Sequence, residues 1–238
     1  SLPNPVVMLA AVAPGPDVIV AVSSTAGMFK GEYLVVADID DTQEDDTQET
    51  VKLTAVNPAT NEITATFTKA HPANAPRSVA GGFAAGVVPT TTANGSTGTV
   101  LKIVGDINGD GSMVYVEYTC DLNTGRLYRN QMAWDAAVKA APTVEQVLLD
   151  NLLANPDGTD CFTYQQEVVD GVPYVVGVAI TLTARTQDRD PITRQFQTET
   201  KALLNVSPRN VFNVWQMASL LYMDRVQPLP AATQALLP

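Results

Sequence analysis

The sequence predicts a mainly β protein, α+β at most, built from antiparallel sheets. Three observations carry that prediction. β-Branched and alternating apolar runs recur along the whole chain, as in Val18-Ile-Val-Ala-Val22 and Thr50-Val-Lys-Leu-Thr-Ala-Val56. Turn formers are dense, with 15 Gly and 16 Pro in 238 residues. Charged residues make up only 16%, against ~25% for ordinary soluble domains, while 45% are hydrophobic, enough for a packed core.

The elements follow in order. After the run at 18–22 come Tyr33-Leu-Val-Val36, the strand at 50–56 and Glu62-Ile-Thr-Ala-Thr-Phe67. The last two alternate with period two, and Asn57-Pro-Ala-Thr-Asn61 between them has the residues of a hairpin loop. The segment Pro89-Thr-Thr-Thr-Ala-Asn-Gly-Ser-Thr-Gly98 is small, polar and turn-rich, which places a boundary between residues 1–98 and 99–238. Beyond it, Val100-Leu-Lys-Ile-Val104 and Met113-Val-Tyr-Val-Glu-Tyr-Thr119 read as strands. Asp121-Leu-Asn-Thr-Gly125 is turn chemistry, and Arg126-Leu-Tyr-Arg129 returns from it. Residues 131–153 fit either helix or extended chain. The long run 172–185 and the strand at 195–206 pair as an antiparallel hairpin across Gln187-Asp-Arg-Asp-Pro191. After Pro208, the residues Val211, Val214, Trp215, Ala218 and Leu221 fall at helical spacing, which predicts a C-terminal amphipathic helix.

Composition excludes several function classes. The formal net charge is −11, which argues against a nucleic-acid partner or an anionic membrane surface. No run reaches the ~18 apolar residues of a transmembrane helix. The apolar run 6–12 has no basic flank, so it does not read as a signal peptide, and the chain reads as mature or truncated. Seven carboxylates in the twelve residues from Asp38 to Glu49 repel one another and predict a solvated loop. The single histidine, His71, stands before Pro72 and reads as an exposed loop residue. Asp188 and Asp190 lie in an arginine-rich turn where solvated ion pairing is expected. The chain is therefore expected not to be an enzyme. Gly81-Gly82 lacks the Gly-Lys-Ser/Thr of a phosphate loop.

One motif points to a metal. Asp106-Ile-Asn-Gly-Asp-Gly-Ser-Met-Val-Tyr-Val-Glu117 fits the calcium-loop pattern D-x-[DN]-x-[DN]-G-x5-E. Calcium takes six to eight hard oxygens. Asp106, Asn108 and Asp110 can converge on one ion, Ser112 offers a carbonyl, and Glu117 closes the shell. The alternative is a hairpin whose Asn-Gly-Asp-Gly turn uses the same residues for their backbone freedom. Cys120 and Cys161 either form one bridge, worth roughly 4 kcal/mol in the chain-entropy model, or stand as two buried thiols.

The second half resembles a known family. Met113-Val-Tyr-Val-Glu-Tyr followed by Gly125-Arg-Leu-Tyr-Arg-Asn130 resembles the Y-x-V … L-Y-R hairpin of minor pilins and pseudopilins. Phe162-Thr-Tyr164 is similar to that family's aromatic strand. The run 175–185, then Asp188-Arg-Asp-Pro191, then Val206-Ser-Pro-Arg-Asn210 resembles its closing hairpin and terminal P-R-N signature. The resemblance covers about residues 99–215. It implies a pilin-like β domain at 99–238, with an added β-rich surface module at 1–98. It implies a structural subunit of a type IV pilus-like or pseudopilus filament, at the exterior of a bacterial envelope. Its partners would be other pilin subunits and a hydrophobic pilin helix, in cis or on a separate short chain; any membrane contact would be through that helix. Residues 6–12 are expected to cover the apolar stripe such a helix would otherwise hide. The alternative function is a secreted, calcium-stabilised adhesin or binding module.

Overall fold

The computed structural model describes residues 6–36, 48–74, 76–79, 82–91, 94–107, 113–134 and 146–228. The protein is mainly β, as the periodicity predicts, with antiparallel sheets and a helix near the C-terminal end. The chain divides into two compact units. The first comprises Ser1–Phe83, Asp106–Met113 and Gln216–Ala231; the second comprises Ala84–Gly105, Val114–Trp215 and Ala232–Pro238.

The first unit is built on six strands: β1 (Val6–Val7), β2 (Gly15–Ala21), β3 (Tyr33–Val36), β4 (Glu49–Asn57), β5 (Glu62–Phe67) and β6 (Pro76–Val79). They form one antiparallel sheet in the order β1-β6-β3-β4-β5-β2. A bridge between Met8 and Val22 then joins its two outer strands. There the Leu9 N–H donates to the Ala21 carbonyl at 2.9 Å and the Ser23 N–H to the Val7 carbonyl at 3.0 Å. The sheet is thereby joined at this point into a small barrel. Alternation fills it. Val51 and Leu53 of β4 point inward between Lys52 and Thr54, and Ile63, Ala65 and Phe67 of β5 do the same. Residues 6–12 belong to the first unit. Spaced at even intervals, Val6, Met8 and Val12 sit in the barrel core. At the β4–β5 turn, the Asn57 side chain accepts the Ala59 N–H at 3.1 Å, and Asn61 takes the left-handed conformation at φ 52°. The unit also holds a short parallel pair, β7 (Gly82–Phe83) with β16 (Val226–Gln227).

The second unit has two sheets. One is β8 (Val100–Gly105), β9 (Val114–Asp121), β10 (Arg126–Ala133) and β11 (Val147–Asp150), in the order β11-β10-β9-β8. The predicted hairpin is present: Asp121 pairs with Arg126, its carboxylate accepts the N–H groups of Asn123 and Thr124, and Gly125 sits at φ 67°. The 131–153 stretch contributes strand rather than helix where it is described, in β10, β11 and β12 (Leu152–Leu153); residues 135–145 lie outside the described set. The other sheet is centred on the 14-residue β14 (Val172–Arg185). β12 and β13 (Phe162–Val169) lie along one edge of β14, and β15 (Thr198–Val206) along the other. The two sheets adjoin: the Phe162 N–H donates to the Gly98 carbonyl at 2.9 Å, and the Tyr164 hydroxyl donates to the carbonyls of Thr97 and Val100 at 2.8 and 3.1 Å.

Helix α1 (Arg209–Ser219) follows Pro208, as the spacing predicts, and buries Val211, Val214 and Ala218. Leu221 does not continue its apolar face; it stands beyond the helix end, exposed, at φ 67°.

Candidate functional site: an apolar cleft in the second unit

Period-two alternation gives each strand of the second unit one apolar face. On the four-stranded sheet, Leu101 and Ile103 of β8, Tyr118 of β9, Leu127 of β10 and Leu148 of β11 lie toward one side. On the adjoining sheet, Val178, Ile180 and Leu182 of β14 do so together with Phe162, Leu203 and Val206. These two sets line one cleft of about 480 Å³, completed by Val87 and Pro208. Leu101, Phe162 and Val178 of the lining are buried, whereas Leu148 is 54% exposed and Leu203 63% exposed. The chemistry is limited to apolar burial. Every 100 Å² covered there is worth about 2.5 kcal/mol before the cost of ordering the occupant.

The two sequence-predicted cysteines meet in this unit. Cys120 at the end of β9 and Cys161 just before β13 are joined by a disulfide, with Cα atoms 6.5 Å apart and a sequence separation of 41. Both are buried. The bridge lies where the two sheets adjoin, beside the Gly98–Phe162 hydrogen bond.

The calcium-loop residues are only partly described. Asp106 follows β8 directly, and Glu117 sits on β9 opposite Lys102. The Glu117 carboxylate accepts a hydrogen bond from the Tyr115 hydroxyl and lies 3.9 Å from the Lys102 ammonium. Burial and that carboxylate push the Tyr115 hydroxyl well above its usual range. Asn108, Asp110 and Ser112 lie outside the described residues. Among the described residues, no group of three or more His, Cys, Asp or Glu side chains is arranged to hold a metal ion. Asp190, in the turn after β14, is occupied locally: its carboxylate accepts the N–H groups of Ile192 and Thr193 at 2.8 and 2.7 Å.

Two polar features of the first unit depart from the sequence reading. His71 is not an exposed loop residue; it is 2% exposed. A bridge with Val12 draws it against the barrel, where its ring packs edge-on against Phe67 at 5.9 Å. Its Nε2 lies 2.7 Å from Oε1 of Glu49. Glu49, the last residue of the acidic run, is therefore not a solvated loop group either, because β4 begins there. Its carboxylate accepts the Thr68 N–H and hydroxyl at 2.9 and 2.6 Å and the Lys69 N–H at 3.1 Å. Residues 37–47 of the run lie outside the described set. Burial raises the Glu49 carboxyl, but the bonds from Thr68, His71 and Lys69 together outweigh it and hold the group below the ordinary carboxylate range. Glu32 is the opposite case. It is buried with a weak contact, the Phe29 N–H at 3.4 Å, and burial pushes it up to about 8. The signal for both was hidden: nothing local marks Glu32 or His71 as interior, since tertiary pairings put them there.

Comparison of the chain with protein-family models, with curated proteins and with solved structures finds no match.

Proposed function

We propose that this protein is a structural subunit of an extracellular filament of the type IV pilus or pseudopilus kind. In this reading the cleft of the second unit seats a hydrophobic pilin helix, supplied in cis or by a separate short chain. The observation that carries the reading is the cleft itself. Two adjoining antiparallel sheets turn apolar side chains toward one space, and Leu148, Leu203 and Val206 of its lining stand exposed. Such a face needs a helix or another sheet to bury it. A helix about 10 Å across presents the continuous apolar surface that would do so. The hairpins at 114–133 and 172–206, whose motifs resemble minor pilins, form the cleft walls, and this supports the same partner. A disulfide suits an oxidising exterior. The compact barrel of the first unit suits a displayed module.

The test is immunogold electron microscopy of native cell-surface material with an antibody against this chain. Gold at regular intervals along fibres supports a main subunit, and gold at fibre tips a minor one. Protein free in the medium, with no fibre labelled, overturns the filament reading and favours a secreted, calcium-stabilised adhesin or binding module. The calcium reading rests on the motif from Asp106 to Glu117. It predicts a melting temperature that rises with added calcium and a measurable binding heat.

A further inference from the structure

β15 is an edge strand. Among the described residues it pairs with β14 alone, and residues 198–203 are all exposed. A strand's amides point alternately to its two sides, and the neighbouring hydrogen bonds fix which side each one takes. The Thr186 N–H donates to the Gln197 carbonyl at 2.8 Å, toward β15. The Arg185 N–H instead donates to the Asn151 carbonyl at 3.1 Å, and the Thr181 N–H to the Cys161 carbonyl at 3.0 Å, both on the far side of β14. Arg185 stands opposite Thr198, Thr183 opposite Thr200 and Thr181 opposite Ala202. The amides and carbonyls of Thr198, Thr200 and Ala202 therefore point away from β14, along the open edge.

An open edge of this kind is a template for another strand, and proteins commonly guard it with proline or an isolated lysine. β15 contains no proline. Its lysine, Lys201, is not isolated: Glu199 lies two residues earlier on the same face, with its carboxylate 2.7 Å from the Lys201 ammonium. Both side chains are largely in water.

We propose that β15 pairs antiparallel with β15 of a second copy of this chain, about a twofold axis at Thr200. In this register Thr200 faces Thr200, Thr198 faces Ala202, and Glu199 of each copy faces Lys201 of the other. The outward amides at 198, 200 and 202 meet outward carbonyls at 202, 200 and 198. The two charge pairs fall at non-hydrogen-bonded positions, where opposed Cα atoms approach to ~4.5 Å and side chains interact most. The charges also select the register. Slipping the pairing so that the axis passes through Glu199 sets Glu199 against Glu199, and moving it to Lys201 sets Lys201 against Lys201. Like charges directly opposed are destabilising. The interface goes beyond the filament reading, since it uses the sheet edge and forms whether or not the cleft holds a helix.

Sedimentation equilibrium on the oxidised chain tests this, from about 1 to about 200 µM, a range that brackets a Kd of order 10 µM. A reversible dimer is expected. Glu199→Lys alone and Lys201→Glu alone should each weaken it about tenfold, because each change spoils both symmetric pairs. The double exchange should restore wild-type association. Ala202→Pro removes an amide that no bond among the described residues uses, and it should abolish the dimer with an unchanged far-ultraviolet spectrum. Were that variant to misfold, the charge exchange alone would decide. A chain that stays monomeric throughout overturns the proposal. So does a dimer indifferent to the single charge reversals.

Discussion

Glu49 and His71 close the open end of one hairpin. Glu49 begins β4, His71 lies four residues past the end of β5, and the 2.7 Å contact between them ties the chain leaving β5 to the start of β4. The same carboxylate holds Thr68 and Lys69, so one side chain gathers the whole exit of the hairpin.

Glu49→Gln replaces a multiple acceptor with a group whose amide protons oppose some of those donors. The expected cost is about 1 kcal/mol at neutral pH, because the Thr68 donors are open to water and only His71 is buried. The pH dependence has a definite sign. The folded-state carboxyl is held below its unfolded value near 4.3. Its stabilisation is present above that value and is lost as pH falls through the folded-state value. Urea unfolding between pH 6 and about pH 3 should show this acid limb in the parent chain and a shallower one in the variant.

Glu32 works in the other direction. Its folded-state value is about 8, above the unfolded value near 4.3. Any stability tied to its neutral form is full below about pH 4 and is lost as pH rises through about 8. Glu32→Gln keeps the shape and removes the charge. Its melting temperature should equal that of the parent near pH 4 and exceed it increasingly toward pH 8. Equal melting temperatures at every pH would contradict the burial of an ionisable group at this position.

Loss of the Cys120–Cys161 bridge releases a loop spanning 41 residues. In the chain-entropy model the cost is roughly 4 kcal/mol, and about 2–4 kcal/mol is typical. The double Cys→Ala variant should unfold at lower urea by that amount. Intact mass after alkylation without reductant should show no alkylation of the parent chain.

Thr183 is a buried polar node. Its hydroxyl donates to the Asn155 side chain at 2.8 Å and lies 2.7 Å from the Thr200 hydroxyl. Asn155 in turn donates to the carbonyls of Thr159 and Thr181 at 2.7 and 3.0 Å. Thr183→Val keeps the volume and leaves the buried Asn155 oxygen unpaired. A loss of about 1–3 kcal/mol is expected, read by urea unfolding, while Thr200→Val should cost less because that residue is exposed.

The strands were legible where β-branched or alternating apolar residues ran together. Tyr33–Val36, Glu62–Phe67 and Val172–Arg185 appear with the boundaries read from sequence. Short strands such as β1, β7 and β16 were not, because two residues carry no periodicity and their pairing partners set them. The barrel closure rests on a single bridge between Met8 and Val22, which no local pattern announces. His71 misled for a related reason. Its Pro72 neighbour does specify extended chain, but extended chain next to Val12 is an interior position here. The cysteine pair could be read as bridge or thiols from sequence, and the adjoining of β9 with the start of β13 decides it. The cleft was foreseeable only as an apolar face in need of cover; which strands form its walls depends on long-range register.

Gln227 reaches back to Tyr33: its side-chain carbonyl accepts the Tyr33 N–H at 2.8 Å and its amide donates to the Tyr33 carbonyl at 2.6 Å, across 194 residues of sequence. On a ribosome moving at ~5–20 residues per second, that gap is a delay of roughly 10–40 s. The barrel strands emerge well before Gln227, yet the first unit cannot acquire these contacts until residue 227 has been made. A nascent chain halted at residue 215 would therefore carry a finished barrel whose Tyr33 backbone is still bonded to water.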